Sequence, residues 1–229
     1  MWHAIGRQFR HPAGLGGRAI GYAMRAINRR PNDAAIAALA IRPGDCVLDL
    51  GCGPGAAIRE IARRATDGTV YGVDQSQVML DQAGRLNRAA VASGRVVLRR
   101  AGFEQLPFPD ASIDKALAVN VAYFWADADA ILAEIDRVLR PGGRLAIYVT
   151  DAAVMRRWKF AGPETHRLFD ASLLRTMLLS GPFAKSHVEI ASMQAGPGVP
   201  GLVALAHKPP ANQVGVDRQN DPANPAPAG

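Results

Sequence analysis

The feature that most constrains this chain is a glycine-rich turn that leads from a predicted strand directly into a predicted helix. Residues 46–50 have the compact apolar character of a buried strand, and residues 51–55 have the sequence GCGPG. Glycines at such a turn let the backbone bend sharply and let a ligand approach it closely. In α/β folds this position is the carboxyl edge of the sheet, where ligands bind. The following helix has one apolar face, formed by Ile58, Ile61, Ala62 and Ala65.

Strands and helices alternate beyond that helix. Ser76 and Asp127 are typical helix-capping residues, and the Pro-Gly-Gly sequence at 141–143 is predicted to end the helix that Asp127 begins. The alternation predicts an α/β fold: a Rossmann-like, seven-stranded, mainly parallel sheet with helices on both faces and an antiparallel edge hairpin. The predicted strands are residues 46–50, 69–73, 95–98, 115–119, 144–149, 187–193 and 202–208. Helices are predicted at about 32–41 and from Ser76 through Ala90.

Size and composition exclude several classes of protein. The chain has 229 residues, of which 48% are apolar, so it can bury the core of one domain. Its longest uncharged apolar stretch, residues 116–126, is shorter than the ~18 residues that a membrane-spanning helix needs. The N-terminus lacks the apolar segment of a secretory signal, so a cytoplasmic protein is expected. Cys46 and Cys52 have no matching His or Cys cluster, so neither a disulfide framework nor a metal site is expected.

Charge is concentrated at the N-terminus. Residues 1–42 contain seven arginines and only Asp33 as an acidic residue, whereas the remainder has 20 basic and 19 acidic residues. We therefore predict three parts: a basic helical arm or lid at 1–30, a catalytic domain at 31–208 and a disordered tail at 209–229. Glycines at 14, 16, 17 and 21 predict a broken, hinge-like arm. A lid over an acceptor pocket is favoured, and peripheral membrane contact through the arm is the alternative.

Two aspartates accompany the glycine turn. Asp49 precedes Gly51, and a carboxylate there repels a pyrophosphate but attracts a cationic ligand. Asp74 ends the second predicted strand, where an acidic residue in nucleotide-binding folds accepts the hydroxyls of a ribose. Asp74 could instead only order the start of the next helix. The glycine spacing is G-x-G-x-G, whereas dinucleotide-binding folds have G-x-G-x-x-G.

Four segments together resemble the class I S-adenosylmethionine-dependent methyltransferases, in the branch of the ubiquinone and menaquinone C-methyltransferases and related small-molecule enzymes. VLDLGCGPG at 47–55 resembles the first motif of that family, and YGVDQS at 71–76 resembles its ribose-binding motif. Residues 101–125 and LRPGGRLAI at 139–147 match its later motifs. The resemblance covers about residues 10–208 and implies S-adenosyl-L-methionine as cofactor. It says little about the acceptor.

The resemblance also implies roles for individual residues. Asp49, Gly51 and Gly53 would surround the methionine amino end, Asp74 would hold the ribose beside Gln75, and Asn120 would line the face of methyl transfer. Phe103 would lie along the adenine with its backbone amide near the ring nitrogens. Gly102 stands where the family usually has an aspartate, so Glu104 or water would accept the adenine amino group. The complete implied cofactor set is Asp49, Gly51, Cys52, Gly53, Gly55, Asp74, Gln75, Phe103, Glu104 and Asn120.

The implied chemistry is an in-line displacement of an activated methyl group onto a small-molecule acceptor, which depends more on alignment than on a strong catalytic group. Tyr123, Tyr148 and His166 are candidate bases, but each residue type is more often packed or hydrogen-bonded, so no catalytic residue is assigned. Alternatives are a lipid or quinone methyltransferase at a membrane surface, a nicotinamide-dependent oxidoreductase and a non-catalytic cofactor-binding protein. A nucleic-acid partner is not expected, because the basic arm lacks an aromatic-rich recognition module.

Overall fold

The computed structural model describes residues 14–162, 166–183 and 188–210. Within these residues, helices and strands alternate from the glycine-rich turn to the edge hairpin. In chain order the elements are α1 Gly14–Ile27, α2 Arg29–Leu39, β1 Val47–Leu50, α3 Ala56–Arg64, β2 Val70–Asp74, α4 Gln77–Leu86, α5 Arg88–Ala92, β3 Val96–Arg100, β4 Ile113–Val119, a 3₁₀ turn Ala122–Phe124, α6 Ala128–Val138, β5 Leu139–Thr150, α7 Ala152–Met155, α8 Ala171–Ser180, β6 Val188–Gly196 and β7 Val199–His207.

The seven described strands form one sheet in the order β3-β2-β1-β4-β5-β7-β6. Strands β1 to β5 pair in parallel, and β7 is antiparallel to both of its neighbours. This arrangement confirms the predicted fold class, including the antiparallel hairpin at the edge. The strand order reverses between β1 and β4, and in such sheets the crevice at the carboxyl ends of those two strands is the usual ligand site.

A hydrophobic cluster covers each face of the sheet. On one face Ile58 and Ile61 of α3 pack with Val47, and on the other Ile131 and Ile135 of α6 belong to the cluster that includes Leu48. All four residues of β1 are buried, as expected of a central strand that is covered on both sides. The predicted apolar face of α3 is therefore the face that holds this helix on the sheet, and Ile131 and Ile135 hold α6 on the opposite face.

Several boundaries differ from the prediction. Helix α2 begins at Arg29 rather than at residue 32, because Pro31 is tolerated in a first helical turn, where its missing N–H has no partner to lose. The helix that Ser76 caps ends at Leu86, where the buried side chain of Asn87 donates to the carbonyl oxygens of Gly55 and Ala83 at 3.0 and 2.9 Å. Strand β5 already begins at Leu139 and so includes the Pro-Gly-Gly sequence, within an irregular stretch of its pairing with β4.

The arm was predicted to be broken at its glycines, and over the described part this is wrong. Helix α1 is continuous from Gly14 to Ile27, and the chain bends only at Asn28. At Gly21 a Cβ atom would lie 2.5 Å from Oε1 of Gln82 in α4, so this glycine serves close packing between two helices rather than a hinge. The first thirteen residues, His187 and residues 211–229, which hold most of the predicted tail, lie outside the described residues.

Candidate active site at the carboxyl edge of the sheet

A cavity opens where β1 and β4 end, at the reversal of strand order. Nine of the ten residues predicted to bind a cofactor line it; the exception is Gly55. A Cβ atom on Gly55 would lie 2.7 Å from Cβ of Ala83, so this glycine allows α4 to pack against the loop instead. The nine lining residues are Asp49, Gly51, Cys52, Gly53, Asp74, Gln75, Phe103, Glu104 and Asn120.

The glycine loop is held open to the cavity by its own backbone. Gly51, Gly53 and Gly55 have φ angles of +67°, +50° and +80°, a region that residues with a Cβ atom rarely adopt. The amides of Gly51 and Cys52 both donate to the carbonyl of Val73, at 2.8 and 3.0 Å. Burial raises the pKa of the Cys52 thiol well above its ordinary value, so this side chain is a neutral part of the wall and no nucleophile.

The two predicted aspartates differ in environment. Asp49 is only 2% exposed, and its Oδ2 atom has no hydrogen-bond partner. Burial, and then the nearby charge of Asp74, raise its pKa to about 8. Asp74 is more accessible, and its two carboxylate oxygens accept the amides of Gly53 at 2.9 Å and Ser76 at 2.8 Å. The site therefore contains two different carboxyl groups: that of Asp49 lacks a counter-charge, and that of Asp74 also orders the glycine loop.

At the other end of the cavity, Glu104 stands beside the position of the missing aspartate. A Cβ atom on Gly102 would lie 2.9 Å from Oε2 of Glu104. The same Oε2 atom accepts the backbone amide of Phe103 at 3.1 Å, and Gln75 is exposed at the rim. The Glu104 carboxylate thus occupies the space that an aspartate at position 102 would use.

Asn120 lies at the end of β4 with a φ of +55°, and its side chain joins the sheet to the arm. Its Nδ2 donates to Oδ1 of Asn28 at 2.9 Å, and its Oδ1 accepts the hydroxyl of Tyr123 at 2.8 Å. The same hydroxyl accepts the backbone amide of Thr150. A continuous set of hydrogen bonds therefore fixes Asn120 from both sides.

A second cavity of about 480 Å³ lies on the far side of Asn120. None of its described lining residues is Asp, Glu, Lys or Arg. Tyr123, Tyr148 and His166 all line it, so the structure brings the three candidate bases together. Burial raises the pKa of both tyrosines, which keeps their hydroxyls neutral. The residues shared by the two cavities are Met24, Asn28, Asn120 and Phe124.

Comparison with known proteins identifies the family. A model described as a methyltransferase domain matches residues 48–147. The uncharacterized methyltransferase YdaC of Bacillus subtilis (strain 168) is 32% identical over 161 residues, which cover 70% of this chain and 84% of that protein. The chain belongs to the class I S-adenosylmethionine-dependent methyltransferases. This membership removes the nicotinamide-dependent alternative.

Two further comparisons define how far the likeness extends. Cycloartenol-C-24-methyltransferase of Arabidopsis thaliana is 38% identical over 117 residues, which are 50% of this chain but only 34% of that protein. A solved SAM-dependent methyltransferase from Aquifex aeolicus superposes with a TM-score of 0.64 over 89% of this chain and 97% of that one, at 17% identity. The structural likeness establishes the methyltransferase fold, and the sterol enzyme shares the core of the domain.

Several residues that line the first cavity were missed by the sequence prediction. Arg25 and Met24 line this cavity from α1, and Trp125 lines it from the turn after β4. The indole Nε1 of Trp125 is buried and has no hydrogen-bond partner. Trp125 could have been predicted, because it ends the segment 101–125 that resembles a family motif. Arg25 could not, because nothing in the sequence distinguishes it from the six other arginines in residues 1–42.

The described part of the chain has neither a candidate metal centre nor a candidate membrane-spanning helix. No group of three or more His, Cys, Asp or Glu side chains within it is arranged to hold a metal ion. No helix in the same residues has both the length and the apolarity needed to cross a bilayer.

Proposed function

We propose that this methyltransferase binds S-adenosylmethionine in the cavity beside the glycine loop and methylates an uncharged, mainly apolar small molecule in the 480 Å³ cavity. One observation carries the proposal: the two cavities meet at Asn120. Two ligands can therefore approach each other there, and the methyl group can pass directly between them without a covalent intermediate on the protein. The second cavity lies within the ~300–1,000 Å³ range of small-molecule sites.

The first cavity has the chemistry that this cofactor requires. Asp49 offers an unpartnered buried carboxylate oxygen and Trp125 an unpartnered buried N–H, so the cavity favours a polar ligand with both a cationic and an accepting group. Asp74 lines the cavity, and its carboxylate, which also accepts the amides of Gly53 and Ser76, is of the type that accepts ribose hydroxyls. The bound cofactor supplies a methyl group that is already activated by a sulfonium centre.

The protein's own task is alignment and exclusion of water. Asn120 is fixed by Asn28 and Tyr123, so the wall between the cavities has a defined geometry without a ligand. Positioning of this kind can supply ~7–11 kcal/mol of a barrier. Because Tyr123 is neutral and already hydrogen-bonded, we assign it to positioning Asn120 rather than to proton transfer.

The lining of the second cavity supports the class of acceptor. A charged acceptor would lose hydration there without meeting a counter-charge from the described walls, at a cost of several kcal/mol. Trp158 and Phe160 stack with ring centroids 5.4 Å apart, Phe160 lies 6.1 Å from His166, and His166 lies 4.8 Å from Phe124, so these four rings form one continuous part of the wall. The sterol methyltransferase among the relatives, by its name, also acts on an apolar molecule.

The test couples binding to transfer. Titration calorimetry should show heat with S-adenosylmethionine and with its demethylated product, and radiolabelled methyl transfer should favour uncharged terpenoid or aromatic acceptors over charged amines. Val199→Asp puts a charge on the cavity wall and should abolish transfer while the cofactor still binds. Val91→Asp, at an exposed position of α5, is the matched control. Transfer that is unaffected by Val199→Asp, or that prefers charged amines, would contradict the acceptor class.

A second candidate is methylation of a lipid or quinone at a membrane surface. Tyr22 and Ile27 of α1 are 65% and 59% exposed, and Ile27 also lines the second cavity. An apolar acceptor could therefore enter from a bilayer that contacts α1. This candidate predicts that the protein sediments with anionic vesicles and that salt weakens the binding. Ile27→Gln should reduce sedimentation, and the control Val91→Gln should not. Absence of sedimentation at low salt would leave the acceptor to be taken from solution.

A further inference from the structure

We propose that Asn28, at the joint between α1 and α2, selects the acceptor by donating a hydrogen bond from its side-chain Nδ2 atom to an uncharged oxygen of that molecule. This rests on the proposed function and narrows its acceptor class. The acceptor is then an apolar molecule with a carbonyl or hydroxyl oxygen near the atom that receives the methyl group.

A chain of hydrogen bonds fixes the orientation of the side-chain amides where the two cavities meet. The backbone N–H of Thr150 can only donate, so the hydroxyl oxygen of Tyr123 accepts from it. Burial raises the pKa of Tyr123, so the hydroxyl keeps its proton and donates it to Oδ1 of Asn120 at 2.8 Å. The Nδ2 atom of Asn120 then donates to Oδ1 of Asn28 at 2.9 Å. A reversed Asn120 amide would leave the Tyr123 proton without this acceptor.

The same chain determines what Asn28 presents to a ligand. Its Oδ1 atom is used by Asn120, so the two N–H groups on Nδ2 are the donors that remain. Nδ2 has no hydrogen-bond partner among the described residues. Asn28 is half-buried and lines both cavities. The side chain therefore offers donors at the place where the two ligands would meet.

Helix capping does not account for the Asn28 side chain. Asn28 immediately precedes α2, and an asparagine at that position usually accepts a backbone amide of the first helical turn. The side chain makes no such bond, and the backbone φ of −85° and ψ of 3° are not the extended angles of a typical capping residue. Its hydrogen bond goes to Asn120 instead. Asn28 thus serves the junction of the cavities rather than the start of the helix.

The surroundings indicate which ligand group these donors serve. None of the described residues that line the second cavity is Asp, Glu, Lys or Arg, so an ionised oxygen would lose hydration there without meeting a counter-charge. A carbonyl or hydroxyl oxygen can accept the N–H without that cost. The reacting end of the cofactor is a cationic sulfonium and cannot accept a hydrogen bond. The oxygen must therefore belong to the acceptor molecule.

The experiment compares two probes of the same shape, 2-acetylnaphthalene and 2-isopropenylnaphthalene, in which a C=O group replaces a C=CH2 group. Fluorescence titration measures the affinity of each probe for the full chain saturated with the demethylated cofactor product. Asn28→Ala removes the donor and should lower the ratio of ketone affinity to alkene affinity about 3- to 10-fold. Asn28→Asp keeps an oxygen for Nδ2 of Asn120 but places a carboxylate where the donor was, so it should lower the ratio at least as far.

Ala26→Asp is the matched control, because Ala26 is an exposed residue of α1 that lines the same cavity and gains the same charge. Its ratio should equal that of the parent. A purely structural role for Asn28 predicts the parent ratio in Asn28→Asp, since the contact with Asn120 is kept, and that result would overturn the proposal. Equal weakening of both probes by Asn28→Ala would overturn it as well.

Failure of the proposed function gives a different result. Val199→Asp should weaken both probes equally, which places them in the second cavity. A parent protein that binds the demethylated product but neither probe would contradict the proposed acceptor cavity, and one that does not bind the product would contradict the proposed cofactor. A parent that binds both probes with a ratio that neither Asn28 variant changes would overturn the role of Asn28 alone.

Discussion

Cofactor affinity should depend on pH through the buried carboxyl group of Asp49. Without a ligand, burial and the charge of Asp74 hold the pKa of Asp49 at about 8, so the group is mostly protonated at neutral pH. A ligand ammonium group that contacts Oδ2 requires the ionised form. Binding must therefore release the proton of Asp49, and affinity should rise as the pH rises toward the pKa.

The magnitude follows from the ionised fraction. For a pKa of about 8, the fraction of Asp49 that is ionised rises from ~1% at pH 6 to ~50% at pH 8, which corresponds to an increase in affinity of roughly fiftyfold. At pH 7 each binding event should release about 0.9 proton. The sign for folding is opposite: a raised carboxyl pKa makes the ligand-free protein lose stability as the pH rises from ~4 toward 8, by up to ~4 kcal/mol at pH 7.

Calorimetry with the demethylated cofactor product, in buffers of different ionisation enthalpy, measures both the affinity and the proton release. Asp49→Asn cannot ionise, so it should bind more weakly, release no proton from this site and lose the pH dependence. The same variant, free of ligand, should be more stable than the parent at pH 7 in urea unfolding. Tight binding by the parent with a flat pH profile and no proton release would refute the assignment of Asp49.

Four further substitutions test the site and the packing that supports it. Asp74→Ala removes the proposed ribose acceptor and its hydrogen bonds with the amides of Gly53 and Ser76, and calorimetry should show at least about tenfold weaker cofactor binding. Gly55→Ala sets a Cβ atom 2.7 Å from Ala83 at a positive φ and should cost ~1–3 kcal/mol of unfolding free energy in urea titration. Glu104→Ala should weaken binding of adenosine several-fold. Adding Gly102→Asp to Glu104→Ala should restore the affinity, whereas Gly102→Asp alone should not raise it, because in the parent the Glu104 carboxylate lies where the side chain of an aspartate at position 102 would be.

The fold and the glycine loop could be predicted because their signals are local. A strand that is buried on both faces, a turn that needs positive φ angles and a helix with one apolar face follow one another within residues 46–65. Helix boundaries were less accurate, since Pro31 lies within a first turn and Asn87 ends a helix through contacts with Gly55, which lies far away in sequence. Contacts of that kind are set by tertiary packing.

The arm was the largest error of interpretation, and its cause is physical. A glycine in a sequence indicates either conformational freedom or close approach, and the sequence does not distinguish these. At Gly21 the reason is close approach to Gln82, so α1 packs against α4 as a continuous helix. The same packing brings Arg25 and Met24 over the cavity, and this placement could not be inferred from arginine content.

The second cavity, the proposed acceptor site, could not be predicted from any contiguous stretch of sequence, because its wall is assembled from distant segments. Ile27 comes from the end of α1, Met155 and Trp158 from α7 and the segment after it, and Val199 from the start of β7. All four lie outside residues 48–147, the part that the family model matches. The shared domain therefore carries the loop and the strands that suit a cofactor, and the segments around it form much of the acceptor wall. Substitution of these four wall residues is therefore the direct test of whether the segments outside the matched core set acceptor selectivity.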